Sequence, residues 1–349
     1  MGGSAHVSTT ATYRVPSDAP SAALSIGPGR VVLRAAALAS SRWYGRGDAR
    51  TADSSAVEAM RRVINSCELE GTVVCSAEAG RQEGDGEQPF RTGERVGAGG
   101  GGGAMKVAVD PLDGPNLIAS GRDGALCAIA ATEGGLLDTT GCRYMEKIVA
   151  PRGTTPGVLS LDKPVAANIA SLAWDLRRPV GDLLVAVLDR PRHKALIEEC
   201  RAAGARIQLF DDGDVAKAIE AADPSSAVDL MIGIGGSSEG VLSSCAIKCV
   251  GGFMEARLWP RDEAEKAAIG GSRLPGGLLS LEDMAGGKDI FFAATGVSAG
   301  RLLGEVRFWR GGATTHSVVM RSTSRTMRWL ETHHRWENSG GDAVFQATG

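Results

Sequence analysis

Two acids near the end of an apolar run give the sharpest chemical signal in the chain: Val107-Ala108-Val109-Asp110-Pro111-Leu112-Asp113-Gly114. Proline fixes φ and lacks an amide hydrogen, so Pro111 is expected to stop the strand and set a turn just after Asp110. Such a turn would bring the carboxylates of Asp110 and Asp113 and the intervening carbonyl to one point beyond the strand end. Converging hard oxygen ligands suit Mg²⁺ or Mn²⁺. A helix starting after Gly114 would aim its first amides at the same spot, which favours an anion. A divalent cation beside an anion site is the arrangement of phosphate-ester chemistry. An ordinary Asp-rich turn has the same local sequence.

The flanking elements read as α/β. An alanine-rich, helix-prone run covers residues 31–43 and ends at the turn Gly45-Arg46-Gly47-Asp48. Val57, Met60, Val63 and Ile64 recur at helical spacing and place a second helix over 52–66. A strand is expected at 70–75, followed by a polar stretch over 78–94. The glycine run 97–103 then reads as a mobile loop or a turn at a site. Further strands are expected at 106–109, 125–132, 183–188, 206–210, 230–233 and 289–294. Helices are expected at 165–176, 191–203, 214–222, 236–250 and 322–333. Strands alternating with helices mean a layered α/β architecture.

Composition narrows the function classes. A chain of 349 residues is long enough for one large domain or two ordinary ones. A net charge of -3 argues against a duplex-coating nucleic-acid binder, which needs a basic excess. No apolar stretch reaches the roughly 18 residues of a membrane-spanning helix. The 48 glycines are roughly twice the usual share, which fits loop-built sites with close backbone approaches. The seven cysteines are odd in number and form no CxxC pair, against a zinc ribbon or a secreted disulfide framework. They read as buried free thiols in a reducing compartment. Residues 1–28 are rich in Ser, Ala, Thr, Gly and Pro. Up to Gly45 their one acid, Asp18, stands against Arg14, Arg30, Arg34 and Arg42. This leader reads either as a transit peptide to a plastid or mitochondrion, or as a loose terminus of a cytoplasmic protein.

Further segments carry a resemblance. Val-Asp-Pro-Leu-Asp-Gly resembles the metal-binding signature of the inositol monophosphatase and fructose-bisphosphatase superfamily of Mg²⁺-dependent, lithium-sensitive phosphatases. Ser41-Arg42-Trp43-Tyr44-Gly45-Arg46-Gly47-Asp48, Thr51-Ala52-Asp53, Gly93-Glu94-Arg95-Val96-Gly97 and Tyr144-Met145-Glu146-Lys147 occur in order. So do Arg190-Pro191-Arg192-His193, Asp212-Gly213-Asp214-Val215-Ala216, Gly233-Ile234-Gly235-Gly236-Ser237-Ser238-Glu239-Gly240-Val241 and Ala293-Ala294-Thr295-Gly296-Val297. With them the chain is similar to the class II fructose-1,6-bisphosphatases of bacteria, over residues 35–329. In photosynthetic lineages that family includes enzymes acting on sedoheptulose-1,7-bisphosphate.

The resemblance implies a layered α/β/α/β/α sandwich. Behind the leader it implies a metal-binding half over 29–165, a sugar-phosphate-binding half over 166–335 and a loose tail over 336–349. It implies a homo-oligomer, and Mg²⁺ or Mn²⁺ held by acids at Asp53, Asp110 and Glu239. Asp53, Asp110 and Asp113 would then carry the catalysis. Sugar and phosphate would be held by Asp113, Gly114, Tyr144, the Arg190-Pro191-Arg192 segment, the Asp212-Gly213-Asp214 segment and Gly236. The residue types agree: arginines offer forked donors to phosphate and the acids accept from sugar hydroxyls. Each also has a structural use. Asp53 and Asp214 could cap helices, Arg190 and Arg192 could solvate a helix start, and Tyr144 could be core. Arg321 and Arg325 also read as available to phosphate.

The departures matter as much. Family members place a metal-binding glutamate in a Gly-Glu-Gly-Glu loop; here the segment is Ser76-Ala77-Glu78-Ala79. Ungapped alignment puts Ala77 at the ligand position, and a one-residue slip brings in Glu78. The family follows its Asp-Gly with a threonine that helps orient the attacking water; here Pro115 follows. The acids that lead into the Asp110 strand are replaced by glycines and Lys106, a lysine that could occupy a metal's charge role without its chemistry but reads more simply as a surface lysine. Two readings follow. One is metal-dependent hydrolysis of the 1-phosphate of fructose-1,6-bisphosphate, with sedoheptulose-1,7-bisphosphate as a further substrate. The other is a catalytically silent relative serving as a structural or regulatory subunit of a larger hetero-assembly.

Overall fold

The computed structural model describes residues 28–76, 90–100, 103–269 and 274–336. The leader up to residue 27, residues 77–89 with Ala77 and Glu78, and the tail from 337 lie outside the described residues.

Two helices form the first layer, α1 (Pro28–Ser41) and α2 (Ala49–Ile64). The Asp48 carboxylate starts α2 by accepting from the Thr51 amide at 2.9 Å. Both helices pack on one face of a sheet ordered β12 (Arg307–Trp309), β13 (Gly312–Arg321), β11 (Ile290–Gly296), β4 (Leu126–Thr132), β3 (Ala104–Asp113), β1 (Glu70–Ser76), β2 (Arg95–Val96). β14 (Thr326–Arg335) pairs with β13. β1 runs parallel to β3, and the other neighbours are antiparallel.

β4 and β11 are apolar along nearly their whole length because both faces are covered. Cys127, Ile129 and Ala131 of β4 face the α1–α2 core, while Leu126, Ala128 and Ala130 face the opposite one. That opposite core is filled by α6 (Asp214–Ala222) and α7 (Ser237–Val250). α7 is buried on nearly all sides, as a helix between two sheets must be.

Beyond it lies the second sheet, ordered β10 (Leu279–Ser280), β9 (Phe253–Trp259), β5 (Tyr144–Ala150), β8 (Leu230–Gly236), β6 (Leu184–Leu188), β7 (Arg206–Phe210). Its outer face is closed by α4 (Val165–Asp175) and α5 (Lys194–Ala202), through Ile169, Leu172, Ile197 and Cys200. The succession helix, sheet, helix, sheet, helix is the expected sandwich.

Two local expectations fail. Residues 322–333 are not a helix. They make the turn and most of strand β14, paired residue by residue with β13 from Arg321↔Thr326 to Gly312↔Arg335. The turn is closed by Arg325 at a left-handed φ of 48°, and the pairing overrides a weak helical preference. Pro111 does not stop β3 either. The strand bulges between Asp110 and Asp113 in its pairing with β4 and continues to Asp113. β5 lies in the second sheet, and β11 to β14 return to the first. Antiparallel pairing of β11 with β4 closes that sheet with the far end of the chain.

All seven cysteines are free, and all but the half-buried Cys67 are buried. Among the described residues no helix is long and apolar enough to cross a membrane.

Candidate active site

Strand ends and helix starts from both sheets meet at one place. β3 delivers Asp110 and Asp113. Gly114, left-handed, then leads into the short helix α3 (Pro115–Ser120). The turn after β7 delivers Asp212, Gly213 and Asp214 at the start of α6. β8 runs into α7 through Gly235, Gly236 and Glu239.

The joints are specific. Asp113 Oδ2 accepts from the Val215 amide at 3.0 Å, which ties the first sheet to the second. Lys147 Nζ, from β5, donates to Asp214 Oδ2 at 2.6 Å and to the Gly236 carbonyl at 3.2 Å. Asp214 is therefore not an N-cap: Gly213 holds that position, and the Asp214 carboxylate points to the lysine. The β8 glycines make room. A Cβ on Gly235 would fall 1.7 Å from Asp214 Oδ2, and one on Gly236 would fall 1.8 Å from Glu239 Oε2. Only glycine lets carboxylates press on the strand there.

This is a crowd of acids. Burial first, then the charges of Asp212, Asp214 and Glu239, push Asp113 well above the usual carboxylate range; the Val215 amide pulls it back. Burial raises Glu239, opposed by Lys147 and supported by Asp214. Burial and Asp214 raise Asp212, opposed by Arg190.

Asp53 and Asp110 are 1% and 2% exposed, on α2 and β3, two elements that pack together. Asp53 lies beyond the first turn of α2, whose cap is Asp48, so capping does not account for it. Asp110 Oδ1 accepts from the Leu112 amide at 3.2 Å across the bulge.

The donor chemistry fits a hard divalent cation: half-buried and buried carboxylates in charge excess, of which Asp113 and Glu239 are raised in a way that a nearby cation would oppose. Among the described residues, however, no three acids, histidines or cysteines close on one point as a ready-made metal group.

A cationic wall flanks the acids. The Arg192 guanidinium lies 5.0 Å from the Tyr144 ring centroid, that of Arg261 5.9 Å and that of Arg143 6.0 Å. Trp259 meets the same ring edge-on at 6.2 Å. Arg192 forks onto the Ile234 carbonyl at 3.2 and 2.7 Å. Pro191 opens the short turn of helix that carries Arg192. Arg190 donates to the Asp189 carbonyl at 2.8 Å and acts on the cluster through its charge.

Several expectations change here. Arg321 is engaged by Asp289 at 2.9 and 2.7 Å, and Arg325 sits in the β13–β14 turn, so neither belongs to the site. α3 has only six residues, too short to act as an anion-binding helix end. Pro115 takes its first position, where a missing amide hydrogen costs little. Lys106 is exposed, as a surface lysine should be. The lysine that matters is Lys147. Its signal was a charge inside the strand run Met145 to Ala150, which reads as surface until Asp214 of α6 and Gly240 of α7 close over the side chain.

A five-layered sandwich with acids gathered at strand ends between two sheets defines an α/β phosphatase. The sequence model for bacterial fructose-1,6-bisphosphatase, glpX-encoded, matches residues 29–334, and the chain belongs to that family. It is 37% identical over 333 residues to a protein of Synechococcus sp. (strain JA-3-3Ab) named D-fructose 1,6-bisphosphatase class 2/sedoheptulose 1,7-bisphosphatase. That match covers 87% of this chain and 93% of the relative. A relative of the same name from Microcystis aeruginosa is 36% identical over 331 residues, covering 88% and 94%.

Proposed function

We propose that this chain hydrolyses the 1-phosphate of fructose-1,6-bisphosphate, and that of sedoheptulose-1,7-bisphosphate as a further substrate. The observation that carries this reading is the acid cluster locked across the two sheets: Asp113 on the Val215 amide, Asp214 on Lys147. Nothing in packing alone calls for so many buried carboxylates. The names of the relatives point the same way.

Asp53, Asp110 and Glu239, with Glu78 from the segment outside the described residues, would hold Mg²⁺ or Mn²⁺. Bound there, such an ion polarises a phosphate and lowers the pKa of a water molecule. Asp113, fixed by the Val215 amide, orients the water on the phosphate side. The Asp212–Asp214 turn accepts from sugar hydroxyls beside Gly114 and Gly236. Arg192, anchored on Ile234 and stacked on Tyr144, meets the distal phosphate with Arg190.

The test is phosphate release from fructose-1,6-bisphosphate by purified protein with Mn²⁺ or Mg²⁺, against an Asp110→Asn control. Turnover lost in the control supports the reading. No turnover above the control with either bisphosphate, in folded protein, overturns it.

Pro115 and the lack of a converged three-ligand group among the described residues favour a second reading, a silent subunit. Pro115→Thr separates the two. A slow enzyme gains on the order of 10–10² in kcat when a water-orienting hydroxyl returns, while a silent subunit gains nothing.

A further inference from the structure

A strand edge is where a sheet can add another chain, and most edges in this molecule are too short for that. β2 and β10 have two residues each, β12 three and β7 five. β14 is the exception. It runs for ten residues and pairs with β13 without a break in register. Among the described residues nothing pairs with its other side. It has no proline and no bulge, so its outer amides and carbonyls form an unbroken ladder.

The surface around that edge carries exposed aromatic rings. Trp329 of β14 is 50% exposed, and Phe308 and Trp309 of the nearby β12 are exposed too. From Trp329 onward the residues of β14 alternate. Leu330 and Trp336 pack against the α1–α2 core, while Trp329, Glu331, His333 and Arg335 are exposed. Glu331 already meets His333 at 3.1 Å and Arg307 of β12 at 3.6 Å.

The edge is also complementary to its own reverse. It reads Arg328-Trp329-Leu330-Glu331-Thr332-His333-His334-Arg335-Trp336. Laid antiparallel on a second copy about a two-fold axis at Thr332, it sets Arg328 against Trp336, Trp329 against Arg335 and Leu330 against His334. It also sets Glu331 against His333. Each pair occurs twice by symmetry. Guanidinium on indole and carboxylate beside imidazole are favourable cross-strand pairs. Moving the axis by one residue sets Glu331 or His333 against its own copy and parts the tryptophans from their arginines. Charges on an edge ordinarily deter pairing; here they deter the wrong registers.

We propose that β14 is a dimerisation edge, on which a second copy of this chain pairs β14 to β14, antiparallel, about a two-fold axis at Thr332. The two eight-stranded sheets then become one continuous sheet. Glu331 and His333 of the two copies form a square of alternating partners on its exposed face. The edge holds none of the residues of the acid cluster, so the proposal stands apart from the phosphatase reading.

Full-length protein, without substrate or metal, is weighed by sedimentation equilibrium over a wide range of concentration. Twice the chain mass of 36.1 kDa, or a multiple of that, is expected. Glu331→Arg replaces the carboxylate by a cation facing His333 and should weaken association about tenfold or more. Adding His333→Glu restores opposite charges and should recover most of the loss. Both variants are checked for an unchanged melting temperature. A single-chain mass at every concentration overturns the proposal. So does association within twofold of the parent in folded Glu331→Arg protein, since the copies then meet elsewhere. Thr332→Cys reads the register. Across the axis the two Cα atoms would stand about 4.5–5.5 Å apart, within disulfide reach. Oxidation with copper-phenanthroline should link the chains of this variant and not those of the parent, whose cysteines are buried or half-buried. A folded Thr332→Cys dimer that stays unlinked overturns the axis at Thr332.

Discussion

Two strand-to-helix corners face each other across the site and share one backbone. In the first, β3 ends at Asp113, and Gly114 turns left-handed at φ 94° and ψ 50° before α3. In the second, the turn after β7 reaches Gly213 at φ 90° and ψ 52° before α6. The next residue separates them. Pro115 offers neither hydroxyl nor amide hydrogen, and its helix lasts six residues. Asp214 offers a carboxylate that Lys147 meets at 2.6 Å, and its helix lasts nine. Nor are the corners independent. Gly213 has no side chain with which to cap α6, and Asp113 of the first corner does it instead, through the Val215 amide. One turn geometry thus serves once to present an acid and once to anchor one.

Removing the carboxylate that joins the corners should have the largest effect. Asp113→Ala is expected to lower turnover on the order of 10²–10⁴, measured by phosphate release. Its melting temperature should move little. The lost cap is offset by relief of a buried acid that its neighbours already push toward protonation. A large loss of stability with turnover preserved would make Asp113 a cap and nothing more.

Next comes the anchor of the second corner. Lys147 and Asp214 are both buried. Lys147→Met leaves the Asp214 carboxylate without its cation and should cost roughly 3–5 kcal/mol in chemical denaturation. The double variant Lys147→Met, Asp214→Leu should recover most of that. If the double variant is as unstable as the single, the pair is not what holds the corner.

How much of this was legible in the sequence divides along the same line. The helix over Asp214–Ala222 and the strand Arg206–Phe210 carry their own periodicity, and the α/β alternation follows from many such segments. The acids announce themselves by type and spacing at Asp110 and Asp113. The bond from the Val215 amide to Asp113 joins residues with no local relation, so no periodicity reveals it. The partner of Asp214 was hidden for the same reason. Lys147 sits in β5, where Glu146 and Lys147 blur the alternation, and residues far along the chain, Asp214 of α6 and Gly240 of α7, close over it. β14 failed differently. Its residues alternate half-buried with exposed and lack an apolar stripe, so the partner β13 decided its form.

The glycines of the two corners give a smaller and more discriminating contrast. An alanine at either pays about 1–2 kcal/mol for the left-handed conformation. At Gly114 the new Cβ would stand 2.9 Å from Leu117 Cδ1, the free end of a side chain that can swing. At Gly213 it would stand 3.2 Å from the Gly124 carbonyl oxygen, which is backbone and yields less. Gly213→Ala should therefore be the more destabilising in urea. The reverse order would mean that the second corner is the looser of the two.

The smallest effect comes from a tie that only the second corner's surroundings possess. The His193 ring bridges the end of β6 to β8: its Nδ1 donates to the Leu188 carbonyl at 2.6 Å and its Nε2 accepts from the Ile234 amide at 2.8 Å. Only the neutral ring can do both. Burial pushes the His193 pKa below its ordinary value; the Leu188 carbonyl opposes this, while the neighbouring Arg192 charge adds to it. The unfolded chain then holds more protons than the folded one in the window below the ordinary histidine pKa of about 6.5. The contribution is complete above that window and lost as pH falls through it. Wild type should thus lose roughly 1 kcal/mol more than His193→Gln between neutral and mildly acid pH, read from urea midpoints. β8 carries Gly235 and Gly236 against Asp214 and Glu239, so loosening it in acid should raise KM for the bisphosphate before it lowers kcat. Parallel pH profiles for the two proteins would place the tie outside the second corner.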